Sequence, residues 1–438
     1  MNEERNKNSE DEIFFIFLHI ENNNINKLFN YIFRITDVNN IDAYKKSKNI
    51  LENFLQVKIS KYSQYRNFDY GPNYPHKAVS GLSPYISKGI IKEEYIINKI
   101  NDSKNSSDKF IQEVLWRTYW KGWLERHKEV WSDYKDSFKL ELESIYHSEL
   151  AEKYEQAING KTNLEPYDEW IDQLKNTGYL HNHARMWFAS IWIHYFGLPW
   201  QLGAKLFYDH LLDADIASNT LSWRWVAGLQ TEGKKYIANS HNIMKFSLSR
   251  FKSFNLPKLI SKDIPFKKYT LNEINYNNDF IVDPNKKNAF LVVENNLDIN
   301  FIKQNKDNIF IVLLLETSNS KNNLSPISKN FKTSCNTDFI NLCKQHDINI
   351  KKIDISEHFN ECLKVLKDEK IFNVYSDYIT VGFEKDTITK LTKSLKIENI
   401  AYNFFLNNFY KEVWSFCNKG FFNFKKNIPD IIEKCFIR

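Results

Sequence analysis

The chain has 438 residues, with 60 basic and 54 acidic side chains and a formal charge of +6. That length allows two or three domains and a sizeable core. The near-balanced charge excludes a polybasic tail or an acidic disordered protein, and 12 glycines with 10 prolines exclude collagen-like and linker-like chains. Aromatic residues make up 15% of the sequence, and ten of the 11 tryptophans fall between Trp116 and Trp225. A cofactor pocket, an electron path or a stacking surface for bases would concentrate indoles in this way, and so would one large helical core. Residues 1–250 hold 32 basic and 32 acidic side chains, so nucleic-acid binding there would rest on local cations. The five cysteines, Cys335, Cys343, Cys362, Cys417 and Cys435, show no CxxC spacing. Neither a disulfide framework nor a metal site is expected, and the reading is a reducing, cytoplasmic interior.

In chain order, residues 1–40 read as a polar, asparagine-rich extension around an apolar run at 13–20, which is too short for a membrane span or signal peptide. From 41 to 250 apolar residues recur at three and four, predicting a helical domain. Residues 251–286, with Pro257, Pro265 and Pro284, read as a linker. From 287 to 438 short apolar runs at 289–293, 309–315, 348–355, 371–379 and 397–405 alternate with amphipathic stretches at 339–346, 358–366 and 387–395. This pattern predicts a smaller α/β domain with a Rossmann-like parallel sheet.

Two motif-like segments carry no chemistry. Gly160-Lys161-Thr162 lacks the glycine that a phosphate loop needs, Glu155 standing in its place. His181 and His183 are two apart, so on a helix they diverge and do not form a metal pair.

Four segments are informative. Tyr62 is followed by Val79-Ser80-Gly81-Leu82-Ser83-Pro84, a small-residue turn entering a helix, whose backbone N–H groups suit a diphosphate. Glu113, Trp116, Arg117 and Trp120 share one helix face by spacing. Asn182, Arg185 and Met186 share another. Asp213 and Asp215 stand in apolar surroundings before Asn219, Trp223 and Trp225, and need donors, with Arg185 the evident partner for one of them.

Together these segments, over about 60–240, resemble the catalytic domain of the photolyase/cryptochrome flavoproteins. The resemblance implies an all-helical domain holding FAD, with reduced FADH− as the active form. Tyr62 and the backbone of Val79, Ser80, Gly81, Leu82 and Ser83 would hold the diphosphate and ribityl region, Val79 replacing the family's usual threonine. Arg117 would face the phosphates. Arg185 would pair with Asp213 beside the isoalloxazine, Asp213 and Asp215 would meet its polar edge, and Asn182 would join the cofactor contacts. Asn219 stands where photolyases place an asparagine facing the reactive flavin nitrogen.

Glu113, Trp116, Asn182, Met186 and Trp225 match residues that hold a cyclobutane pyrimidine dimer, and His183 replaces a frequent arginine there. Glu113 would donate to the dimer as a protonated acid or adjust it electrostatically. Trp223 and Trp200 match the proximal and middle members of an electron route, with Tyr146 or a tryptophan elsewhere as its end. Trp120, Trp123, Trp131, Trp170, Trp187 and Trp192 read as core.

About 60 residues precede the Tyr62 segment, too few for the family's usual leading α/β domain, and the α/β pattern follows instead. This resembles the topologically inverted bacterial class, whose C-terminal domain seals the flavin site and which is associated with dimers in single-stranded DNA. The implied activity is that of a deoxyribodipyrimidine photolyase. The implied protein is a monomer that acts on UV-damaged DNA without a membrane; the α/β part shows no antenna motif, so the sequence leaves open whether an antenna chromophore is bound at all. The alternatives are a cryptochrome-type blue-light receptor without repair and a structural flavoprotein.

Overall fold

A computed structural model describes residues 42–103, 107–251, 253–260, 263–276, 280–317 and 324–436. The extension read at 1–40, with its apolar run, lies outside the described residues.

The helices that matter for the site are α1 (Ile59–Tyr65), α2 (Glu93–Asn101), α3 (Asp108–Arg126), α4 (Ala151–Ile158), α5 (Asn182–Ser190), α6 (Trp200–His210) and α7 (Ile216–Val226). The sequence punctuates them chemically. Ser107 caps α3 by accepting from the Phe110 N–H, Asp108 lies in its first turn and Arg126 in its last, each sign opposing the helix dipole. Asp215 caps α7 by accepting from the Ser218 N–H. Helix α5 runs on into a π-helical turn at Ile191–Tyr195, still buried.

Helix α3 carries one i, i+4 row of charges, Lys109, Glu113, Arg117, Lys121 and Glu125. Phe110, Ile111, Val114, Leu115, Thr118, Tyr119, Trp120 and Leu124 bury it on most sides, as befits a central helix.

The described parts of 251–287 hold no regular helix or strand. Beyond them, β1 (Asn288–Val293), β2 (Ile311–Glu316), β3 (Ile350–Asp354), β4 (Asn373–Asp377) and β5 (Ala401–Phe405) form one parallel sheet in the order β3-β2-β1-β4-β5. Its register pairs Leu291 with Leu313 and with Ser376. Every residue of β1 and β2 is buried, because helices and loops cover both faces of a parallel sheet. On one face Leu291, Leu313 and Val374 pack with Val365, Leu366, Leu391 and Leu395 from the crossover helices. On the other, Phe290 meets Phe280, Phe301 and Phe405.

The fold class expected from the sequence, a helical domain followed by a small parallel α/β layer, is the one observed. One strand differs in extent. The run at 397–405 begins as the end of a helix, Phe383–Ile397, and turns at Asn399 with φ 56° before β5 starts. Ile397 is therefore exposed, and its apolar side chain misled the strand reading.

The described residues from Asp42 onward form one compact unit, and α3 is the wall its two layers share. From the C-terminal helix α8 (Asn408–Ser415), the Trp414 indole N–H donates to the Thr118 carbonyl at 3.1 Å. Arg126 donates to the Trp414 carbonyl, and the Tyr119 hydroxyl donates to that of Lys419. The Tyr378 hydroxyl and the Val381 N–H both donate to the Glu125 carboxylate, whose buried oxygens need those partners.

Candidate functional site

Four charged side chains meet where α2, α3 and the N-terminus of α7 converge. Arg117 lies 3.1 Å from Asp215 through Nη1 and 3.2 Å from Glu93 through Nε. Lys121, one turn further along α3, lies 3.9 Å from Asp215. The Tyr410 hydroxyl, from α8, donates to Glu93 at 2.8 Å. Two cations thus balance two carboxylates in a site with little water, where unpaired charge would be costly.

Burial alone would raise both carboxyls, but Arg117 and Lys121 outweigh it. Glu93 is held below the ordinary range and Asp215 is brought to about 2. Lys121 is lowered by burial and by Arg117. A second pair lies alongside. Arg185 donates to Asp213 Oδ2 at 3.0 Å and to the Leu180 carbonyl at 2.9 Å. Burial would raise Asp213 too, but Arg185 more than offsets it. Four buried polar atoms of this cluster, Glu93 Oε1, Arg117 Nε and Nη2, and Asp213 Oδ1, lack a well-formed hydrogen bond.

The other expected cofactor residues surround these pairs. Asn219 Nδ2 donates to the Ala204 carbonyl of α6 at 2.7 Å, which commits the amide nitrogen and leaves the amide oxygen as the acceptor. Gly81 adopts φ 75°, and a Cβ there would meet the His76 ring at 3.2 Å, so the turn at Val79, Ser80, Gly81, Leu82 and Ser83 depends on glycine. Within it the Ser80 hydroxyl accepts from the Leu82 N–H at 3.3 Å. Tyr62 is buried against Phe54 and Phe110, and burial raises its phenol.

The residues expected at the lesion separate into groups. The turn after α1 brings Arg66 to Glu113 at 3.1 Å, and Lys109 reaches the same carboxylate at 3.1 Å. Glu113 thus sits in an ionic contact at a partly open edge. Its side chain is 26% exposed and held by two cations. The same turn binds α5, because His183 Nδ1 meets the Asn67 carbonyl at 2.7 Å and His181 Nε2 meets that of Arg66 at 3.0 Å. Burial lowers the His183 pKa, so no fixed positive charge stands there. Asn182 and Met186 touch each other on the exposed side of α5.

Two indoles lie elsewhere. Trp225 stacks on Tyr236 at 5.4 Å. Trp116 stacks at 3.4 Å under Phe421 of the C-terminal helix α9 (Phe421–Lys426). Spacing along α3 correctly placed Trp116 near Arg117, but it could not show which element would lie over it. Trp223 and Trp200 are both buried, at 2% and 4% exposure.

Glu93, Lys121 and Arg66 are site residues that sequence reasoning missed. Lys121 had a signal, the i, i+4 step from Arg117 on a helix. Glu93 and Arg66 had none, since their partners are distant in sequence. Among the described residues no group of His, Cys, Asp and Glu could hold a metal, and no helix is long and apolar enough to cross a membrane.

The depressed Asp215 makes a pH prediction. Its folded pKa lies below the unfolded value of 3.8. Its contribution, about 2 kcal/mol, is complete above that value and is lost as pH falls towards about 2. Asp215→Asn is expected to melt lower than the parent at pH 6, with the gap closing between pH 4 and 2. A constant gap across thermal melts at those pH values would remove the assignment.

Residues 110–251 match the family described as the FAD binding domain of DNA photolyase. The chain is 30% identical over 160 residues to a deoxyribodipyrimidine photo-lyase of Streptomyces griseus, covering 35% of this chain and 33% of that protein. It is 29% identical over 155 residues to a cryptochrome DASH of Idiomarina loihiensis, covering 34% of each. A bacterial class III photolyase from Agrobacterium tumefaciens, known as a crystal structure, is similar with a TM-score of 0.39 and 27% identity, over 46% of this chain and 42% of that one. The chain spans about a third to a half of the length of the first curated relatives it matches.

Proposed function

We propose that this chain is a photolyase/cryptochrome-type flavoprotein, a light-driven lyase that splits cyclobutane pyrimidine dimers in single-stranded DNA. The observation that carries the reading is the buried Arg117, Glu93, Asp215, Arg185 and Asp213 cluster. All of these except Glu93 are residues that the family resemblance assigns to FAD, and four buried polar atoms of the cluster lack a well-formed hydrogen bond. These residues fit the cofactor.

Arg117 and the turn from Val79 to Ser83 would take the diphosphate, because a guanidinium and N–H donors suit phosphate. Arg185 and Asp213 would bracket the ring system, with Tyr62 packed behind the ribityl region. Asn219, its Nδ2 committed to Ala204, would offer the amide oxygen to a protonated ring nitrogen. Bound and reduced, FAD supplies light-driven one-electron transfer, which a protein without it cannot perform.

The helical residues 41–250 would hold the cofactor, with 251–286 linking them to residues 287–438, which seal the site. The chain order, with the α/β layer second and docked on α3, supports kinship with the inverted bacterial class. A single strand costs less to unstack than a duplex, and that favours single-stranded DNA in a chain whose first half has no net charge. Glu113, fixed by Arg66 and Lys109, would act as a carboxylate that holds the Arg66 guanidinium towards the dimer carbonyls, rather than as a proton donor. Trp225, Asn182 and Met186 would line the same mouth.

Glu113→Ala is expected to lower repair about tenfold to a hundredfold while leaving the flavin bound. The check is loss of dimers from UV-irradiated oligo(dT) under blue light, compared in single- and double-stranded form. Repair by Glu113→Ala at the parent rate would refute the assigned role.

A second reading is a cryptochrome-type receptor without repair. It is favoured by one observation, the cover that Phe421 places on Trp116, a residue the repair reading needs at the lesion. Flavin photoreduction without loss of dimers in the same assay would select it.

A further inference from the structure

Trp223 does not stop at the cofactor cluster. Its ring lies 6.3 Å from that of Trp192, edge to face, and both are buried. Trp192 lies 5.9 Å from Tyr154 of α4, again edge to face. Tyr154 lies 5.8 Å from Tyr146, which is 53% exposed. Four oxidisable rings therefore run without a gap from beside the cofactor residues to solvent. The indole N–H of Trp192 donates to the Pro199 carbonyl at 2.8 Å, so an acceptor dipole is already in place for a positive charge on that ring.

Trp200, the middle member that the family resemblance implies, has a different character. The Arg224 guanidinium lies 6.0 Å from the centre of the Trp200 ring, and Arg224 is itself buried. A fixed cation that close, in a medium of low dielectric, opposes a second positive charge on Trp200. Beyond Trp200 come Tyr134 at 5.5 Å and then Trp131, and both of those rings are buried.

We propose that Trp192, Tyr154 and Tyr146 form the electron-transfer route from Trp223 to solvent in this chain. The proposal rests on the FAD-binding reading above, and it reassigns Trp192 from the core role that the sequence suggested. On illumination one electron leaves Trp223 for the cofactor site. Trp192 refills Trp223 and Tyr154 refills Trp192. Tyr146 then supplies the electron, and its phenolic proton passes to water, leaving a neutral phenoxyl radical at the surface. A small-molecule thiol restores Tyr146 by returning one electron and one proton, and is itself oxidised to the thiyl level. The net change is one electron from thiol to the cofactor site, with no bond made or broken in the protein.

The test is flash photolysis with electron paramagnetic resonance on the full-length, flavin-loaded chain, reading the aromatic radicals rather than repair. Tyr146→Phe is expected to abolish the phenoxyl signal and to shorten the charge-separated state by about tenfold or more. Trp192→Phe is expected to cut the yield of long-lived radicals by a similar factor, and to lose more than Trp200→Phe does. Trp192→Tyr, which keeps an oxidisable ring, should recover part of that loss, whereas a purely structural role for Trp192 would not distinguish tyrosine from phenylalanine. A parent-like lifetime in Tyr146→Phe, or a larger loss in Trp200→Phe than in Trp192→Phe, would overturn the route. Failure of the underlying reading has its own signature, a chain that binds no flavin or a Trp223→Phe variant that responds to the flash as the parent does.

Discussion

Arg117→Leu is expected to emerge from purification with little or no bound flavin and to melt several degrees below the parent. The guanidinium is the partner of both Glu93 and Asp215, at 3.2 and 3.1 Å, in a place where burial works against either charge. Removing one member of a buried ion pair costs about 3–5 kcal/mol, because the remaining carboxylates must either stay charged without a partner or take up protons. The loss of a charge-assisted contact to a phosphate adds about 1.5–3 kcal/mol on the binding side, about tenfold to a hundredfold in flavin affinity.

These two effects can be separated. Arg117→Leu combined with Asp215→Asn removes one orphaned charge and is expected to recover part of the melting temperature, but not the flavin. Arg117→Lys keeps the charge without the planar fork, and should fall between the parent and the leucine variant in flavin content. Flavin absorbance after gel filtration and a thermal melt read the two effects independently. An Arg117→Leu protein that keeps a full complement of flavin would remove Arg117 from the binding site.

How much of this was legible in the sequence depends on the range of the interaction. The runs that became β1 and β2 were readable because each is apolar at every position, the mark of a strand covered on both faces. Asp215 was readable as a residue in need of donors because it precedes an apolar helix, and it proves to be both the cap of α7 and the partner of Arg117. Chemistry gave Arg185 as the partner of one of the two aspartates, and the family resemblance named Asp213, the one it meets.

What failed to show were contacts between elements far apart in the chain. Glu93 has no spacing relation to Arg117. Phe421 covers Trp116 from a helix near the C-terminus, and nothing around either residue signals it. For Glu113 the sequence left donation and electrostatic adjustment both open, and α3 turns that residue to where Arg66 and Lys109 meet it, neither contact being readable as a site feature beforehand. Trp192 shows the limit most clearly. A buried indole that packs and a buried indole that conducts have the same sequence pattern, and only the neighbouring rings tell them apart.

Gly203 ties packing to that route. A helix-interior glycine is about 1 kcal/mol worse than alanine, so Gly→Ala at an open position stabilises. At Gly203 of α6 the sign is expected to reverse. A Cβ there would lie 2.3 Å from Trp223 Cη2, 2.5 Å from its Cζ3 and 3.1 Å from Trp192 Cε2, so the larger ring system must move. Overpacking of this kind costs about 1–3 kcal/mol, and the displaced ring is the first donor of the proposed route. Gly203→Ala is therefore expected to lower both the melting temperature and the yield of flash-induced radicals. Gly420→Ala, with nothing within 4 Å of its added carbon, should alter neither.

The clashing atoms belong to the benzo ring of the indole, which phenylalanine lacks. Gly203→Ala with Trp223→Phe should accordingly melt higher than the sum of the two single changes implies, because the two residues share one space. That double variant should still give no long-lived radicals, since phenylalanine has no accessible oxidised state in this setting. Recovery of melting without recovery of radicals assigns the space to packing and the electron to Trp223. If Gly203→Ala is as stable as the parent and as quick to photoreduce, α6 can shift without cost, and Trp223 is not held where the route requires it.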